Sequence, residues 1–173
     1  MRIIGIDPGL RKTGWGIIEA NGDRICSIAN GVCETNAKES LYLRLKVIFE
    51  ELTKVVGQHK PDQAAVENTF VNKDASNTLK LGQARGVCML VPALAGLKVD
   101  EYAPNAIKKA VAGIGHATKD QIKYMVKLQF PNTRLNGADA TDALAVAICH
   151  ASHIRYSVQI QRKLISESSA NDW

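Results

Sequence analysis

The sequence predicts an α/β protein built on one five-stranded mixed sheet, an antiparallel meander followed by parallel strands, with helices flanking it. Three observations lead there. Short β-branched runs open the chain and are joined by the hairpin dipeptide Asn21-Gly22. A long stretch of helical apolar spacing then separates the opening strand from a further short apolar run. From there, strand-like and helix-like segments alternate, the pattern of a sheet covered by helices.

Arg2–Ile6 reads as a buried strand, short and rich in isoleucine. Residues 7–12 form a turn around Asp7-Pro8-Gly9, and Thr13–Glu19 is a second strand. Asn21-Gly22 signals a type I′ hairpin into a third strand over Arg24–Glu34. Residues 39–58 place Leu41, Leu45, Ile48, Phe49, Leu52 and Val56 at helical spacing. His59 to Asp62 ends that helix, and Gln63–Val66 is the fourth strand. A right-handed crossover would set strands one and four parallel. Asp7 and Glu67 would then both emerge at the carboxyl edge of the sheet, where such sheets place their ligands. A second long helix is predicted over Asp74–Ala95, capped by Asp74 or Ser76 and apolar on most sides from Val87 to Leu94. Val99–Tyr102 is the fifth strand, and helices are predicted over Pro104–Ala112, Thr118–Gln129 and Ala138–Arg155. Residues 1–155 thus read as one domain, and residues 156–173 as a polar, irregular tail with room to be flexible.

A chain of 173 residues can bury a sizeable core without disulfides, and its 46% hydrophobic content is that of an ordinary soluble protein. The longest apolar stretch, residues 87–97, is broken by Pro92 and too short to span a bilayer. With no secretory pattern at the start, the expected location is the cytoplasm. Cys26, Cys33, Cys88 and Cys149 show no C-x-x-C pairing. Cys149, His150 and His153 cluster, but no second ligand pair follows at zinc-finger spacing, so a core or surface role is expected. The formal charge, 22 − 17 = +5, favours an anionic partner such as nucleic acid.

Four acids stand where an ordinary fold would not choose a charge. Asp7 ends the run Ile3-Ile4-Gly5-Ile6, Glu67 ends Ala64-Ala65-Val66, and Asp139 and Asp142 lie in the small, apolar segment 137–145. Taken singly, each has a plain structural explanation: a turn cap, a strand end, or a helix N-terminus. Together they point to a shared cation, because burying an ionised carboxylate costs several kcal/mol, roughly, unless it is compensated. Asp139 and Asp142 are three apart and project from one helical face, and Ala138, Ala140 and Ala143 let that helix approach the sheet. Two magnesium ions about 4 Å apart call for such a cluster, with Mn2+ as the alternative ion.

Gly5-Ile6-Asp7-Pro8-Gly9 with Thr13-Gly14 resembles the opening of the RuvC-type Holliday-junction resolvases, the crossover junction endodeoxyribonucleases. Residues 67–70 and 79–86 resemble that family's second block, and Tyr102-Ala103-Pro104, Lys108, Gly113-Ile114-Gly115 and Ala117-Thr118-Lys119 its third. Residues 139–145 resemble its last catalytic block, all in order over about residues 2–152. The resemblance implies a ribonuclease-H-like nuclease domain, a homodimer, and paired symmetric nicks across a four-way DNA junction in recombination and repair. It maps the catalytic, metal-binding acids to Asp7, Glu67, Asp139 and Asp142. Two Mg2+ ions would activate a water and leave a 5′ phosphate and a 3′ hydroxyl. It also suggests complex formation with a branch-migration motor.

DNA contacts are assigned to Phe70, Lys73, Lys80, Arg85, Lys108 and Lys119. Lys108 and Lys119 flank a glycine loop whose backbone N–H groups could approach phosphate. Phe70, in a polar stretch near Glu67, reads by itself as a buried anchor for its loop, but the resemblance implies instead a ring that stacks on an unpaired base. The apolar surface of the 74–95 helix implies a dimer contact through Leu79, Gly82, Gly86 and Leu90. Two other readings compete. A non-catalytic DNA-binding protein that recognises junction shape would use the same basic helices but has no need of four clustered acids. An actin-like phosphotransferase shares the opening turn but needs a second domain of similar size.

Overall fold

The structure, a computed structural model, describes residues 1–68 and 74–170, with side chains as far as residue 160. Five strands, β1 (Arg2–Asp7), β2 (Lys12–Asn21), β3 (Arg24–Glu34), β4 (Gln63–Glu67) and β5 (Lys98–Tyr102), form one sheet in the order β3-β2-β1-β4-β5. The first three pair antiparallel as the predicted meander, and β1, β4 and β5 run parallel. The hairpin differs from the I′ expectation. Asn21 pairs with Arg24, so Gly22 and Asp23 are the central residues, and of these only Gly22 has positive φ, at 58°. That is the type II′ signature, in which glycine takes the first central position.

The helices are α1 (Leu41–His59), α2 (Ala75–Leu94), α3 (Pro104–Ala112), α4 (Lys119–Gln129) and α5 (Ala138–Ala170). Asp74 caps α2, its carboxylate accepting from the N–H groups of Ser76 and Asn77 at 3.0 and 3.2 Å. Thr118 and Gln121 form a reciprocal capping box at the start of α4. The expectation that the last helix ends at Arg155 and gives way to an irregular tail is corrected: α5 runs unbroken to Ala170. Residues 156–170 hold no proline or glycine, so nothing local stops the helix, although their polarity disguises it.

Strand alternation divides the core into two layers. Ile4, Ile6, Ile17, Ala64 and Val66 face α1 and α2, burying Ile48, Leu52, Ala84 and Cys88. Ile3, Ile18 and Ala65 face α3, α4 and above all α5, whose residues 143–151 are all buried. That helix lies unusually close to the sheet. A Cβ at Gly5 would stand 2.2 Å from the Ala143 carbonyl oxygen, and one at Gly14 would stand 1.9 Å from that of Asp139. One at Gly16 would likewise stand 2.8 Å from the Leu144 side chain. Three glycines under a helix rich in alanine therefore set the height at which its acids arrive.

Candidate active site

Asp7 closes β1 and Glu67 closes β4, neighbouring parallel strands with Ile6 opposite Val66. Alternation turns both carboxylates to the α5 side, the face shared by Gly5 and Ala65. From α5, Asp142 joins them in one open cleft of about 160 Å³, which Lys108 of α3 and Lys119 of α4 also line. Asp139, one turn earlier and half-buried, does not line that cleft but lies near enough to repel Asp7 and Asp142. Thr13 is fully buried and its hydroxyl donates to the Gly9 carbonyl at 2.7 Å, which closes the Asp7-Pro8-Gly9 turn.

The electrostatics follow from burial and crowding. The Asp7 carboxyl is pushed up to about 8, first by burial and then by Glu67, Asp142 and Asp139 in turn. Glu67 and Asp142 are also raised, again chiefly by burial. Asp7 and Glu67 share a hydrogen bond, so the two carboxyls titrate as a pair. Lys119 and Lys108 oppose the rise at Glu67 and Asp142, and Lys119 Nζ reaches within 3.8 Å of Asp142 Oδ2. Its side chain is 86% exposed, so this is a loose contact from solvent.

Every donor at the cleft is a carboxylate oxygen, a set suited to a hard divalent cation. Among the described residues, no three His, Cys, Asp or Glu side chains stand at metal-binding separation. The acids converge on one place without closing into a cage. Asp7, Glu67 and Asp142 are raised by burial first and by crowded negative charge after it, and a bound divalent cation would offset both.

Of the residues assigned to DNA, Lys108 and Lys119 reach the cleft. Lys80 is exposed on α2, away from it. Arg85 turns inward to pair with Glu101 of β5, its side chain 22% exposed, and is not brought to the cleft. Phe70 and Lys73 lie outside the described residues. The glycine loop is also less open than expected. Gly113 ends α3 at φ 79°, and its N–H is already donated to the Lys109 carbonyl at 2.9 Å. The cysteine–histidine cluster has structural partners. His150 is buried, with Nε2 donating to Gln63 Oε1 at 2.8 Å and Nδ1 accepting from the Tyr102 hydroxyl at 2.9 Å. His153 stacks on Tyr102, and Cys149 is buried in the core. The sequence reading missed a contact from Asn30 to Asn136, which no local pattern signals because the two are 106 positions apart.

The sequence profile of the family described as "Crossover junction endodeoxyribonuclease RuvC" matches residues 3–150. A protein of that name from Cereibacter sphaeroides is 56% identical over 164 residues, covering 95% of this chain and 97% of the relative. The structure of T. thermophilus RuvC in complex with Holliday junction substrate superposes with a TM-score of 0.84 at 30% identity, covering 91% of this chain and 96% of that one. The yeast mitochondrial Holliday junction resolvase Ydc2, at 12% identity and a TM-score of 0.66, covering 92% and 80%, shares the fold. A likeness that spans nearly the full length of both chains, and includes both strand ends and the helix that carry the acids, decides the matter: this chain belongs to the RuvC family of crossover junction endodeoxyribonucleases.

Proposed function

We propose that this chain resolves four-way DNA junctions as a homodimer, each subunit making one of two symmetric nicks at a site that holds two Mg2+ ions. The observation that carries the reading is the convergence of Asp7, Glu67 and Asp142 on one cleft, with Asp139 beside it, and the strain this puts on Asp7. Asp7, Glu67, Asp142 and Asp139 would hold the metal. When bound, a metal pair supplies an activated water and stabilises the leaving 3′ oxygen. The chain's own part is to bind and orient. Asp7 would hold metal as the carboxylate, its proton passing to solvent, and the exposed Lys119, only loosely placed against Asp142, would reach the incoming phosphate. Lys108 and Lys119 hold that phosphate in line with the water. The phosphorus–O3′ bond breaks as water adds, giving a 5′ phosphate and a 3′ hydroxyl.

The dimer contact is assigned to α2. Leu79, Gly82, Gly86 and Leu90 fall on one stripe, with Leu79 67% and Leu90 49% exposed and, among the described residues, nothing packed over either glycine. Phe70, Lys73, Lys80 and Arg85 are further candidates for contact with DNA. A branch-migration motor is a partner suggested by family likeness alone. No helix among the described residues is long and apolar enough to cross a membrane, in keeping with work on DNA in the cytoplasm.

The test is cleavage of a labelled four-way junction, a duplex and a single strand side by side, in Mg2+ and in chelator. Paired nicks in the junction, dependent on Mg2+ or Mn2+, are expected. Tight junction binding with no cutting in either metal would favour the non-catalytic junction binder.

A further inference from the structure

Three hydrogen bonds tie β3 to the loop that launches α5. The Asn30 amide donates through Nδ2 to the Arg134 carbonyl at 3.0 Å and accepts through Oδ1 from the Asn136 N–H at 2.9 Å. Asn136 returns a bond from Nδ2 to the Asn30 carbonyl at 2.7 Å. Asn30 is 8% exposed and sits opposite Gly16, on the sheet face that α5 covers. Directly after Asn136 comes Gly137 at φ 102°, whose carbonyl takes both the N–H and the hydroxyl of Thr141. Asp139 and Asp142 stand in and just beyond that first turn. Beneath it, the Asp139 carbonyl rests on Gly14.

We infer that Asn30 and Asn136 are positioning residues for the active site. Their reciprocal clasp fixes where α5 begins, and so the placing of Asp139 and Asp142 against Asp7 and Glu67. Neither amide lines the cleft. The fold does not need the clasp to hold α5 down, because Ala143, Leu144 and Ala147 already bury the helix against β1 and β2. What those contacts leave free is the entry turn, reached through residues 131–137, which form no helix or strand. Metal-binding groups tolerate displacements of only about 0.5 Å, so the clasp acts where tolerance is least. This inference rests on the metal-binding reading given above.

The test compares Asn30→Ala, Asn136→Ala and the double variant by calorimetric titration of Mn2+ into DNA-free protein, with thermal unfolding alongside. Each single variant should bind Mn2+ about tenfold more weakly, the low end of the roughly 10–100-fold loss seen when outer-shell partners of a metal site are removed. The double variant should be little worse than either, because the two residues act as one unit. Junction affinity in Ca2+ should stay within about twofold of the unsubstituted protein, and cleavage should recover at raised Mg2+. As a control, Ile48→Val, in the opposite core layer, should lower the unfolding midpoint without changing Mn2+ affinity. Unchanged Mn2+ affinity in both single variants, whatever their stability, would overturn the clasp's role. If Asn30→Ala shows no cooperative unfolding, Asn136→Ala decides the question by itself, since it keeps the Asn30 side chain. Failure of the unsubstituted protein to take up Mn2+ would overturn the metal reading together with this one; uptake matched by the variants overturns this one alone.

Discussion

Asp7 sits among three other acids with its carboxyl pushed up to about 8 from 3.8, and that shift fixes a sign for stability. The folded state binds this proton more tightly than the unfolded chain does, so the contribution of Asp7 to stability falls as pH rises from about 4 to about 8. Chelated protein should therefore lose thermal stability across that window. Asp7→Asn removes the titration, so without metal the variant should unfold above the unsubstituted protein at pH 8, with the gap closing toward pH 5. Added Mg2+ should raise the midpoint of the unsubstituted protein and leave the variant nearly unmoved. Junction binding should survive in Asp7→Asn while cleavage is lost. A midpoint lowered by the substitution at pH 8 would mean that Asp7 serves the turn and not a metal. Asp7 and Glu67 were legible because a charge ending an apolar run is costly, and that cost shows in one dimension of sequence. The inward pairing of Arg85 was not legible, because its partner, Glu101, is sixteen positions away on another element. An arginine on a helix face carries no mark of which side it turns to.

Helix α5 is the element on which the site depends, and its height over the sheet is set by glycines that the chain does not need for their backbone freedom. None of Gly5, Gly14 and Gly16 has positive φ. At Gly14 an added methyl would meet the Asp139 carbonyl, a backbone atom that cannot rotate aside. Gly14→Ala must therefore lift the first turn of α5 or bend β2. Overpacking of this kind costs about 1–3 kcal/mol, and a backbone obstacle puts it near the upper end. Urea denaturation should show a loss of about that size. Mg2+-dependent cutting should fall further than the fraction of unfolded protein accounts for, because Asp139 and Asp142 move with the turn. A variant of unchanged stability and activity would mean that the helix is free to rise there without consequence. Element boundaries were largely legible where caps marked them, as at Asp74 and Thr118, whose side chains make the bonds their types suggest. The extension of α5 past Arg155 was not, since its sequence is mostly polar, with no sustained apolar period to read.

The assembled subunit leaves one feature unexplained by its own fold, the uncovered side of α2. The buried side of that helix is Ala84, Cys88 and Val91, packed on β4 and α1. On the other side Leu79, Leu90 and Leu94 remain exposed, and between the first two lie Gly82 and Gly86, where a second backbone can come close. The apolar excess of α2 was legible in the sequence, but whether the chain itself covered it depended on how the other helices pack. Among the described residues they do not. A stripe running along one helix suits pairing with its own copy about a two-fold axis, since each leucine then meets its counterpart or a glycine gap. The same symmetry matches a substrate that must be cut twice, at equivalent positions on opposite strands. Leu90→Arg places a charge in the centre of that stripe while leaving the buried side of α2 untouched, so the subunit should still fold. Sedimentation should show the unsubstituted protein as a dimer at micromolar concentration and the variant as a monomer with an unchanged thermal transition. On a junction, the variant should give single nicks whose partner cut follows late or not at all. A dimer that survives Leu90→Arg would place the interface elsewhere. An unsubstituted protein that sediments as a monomer would leave pairing to the junction itself.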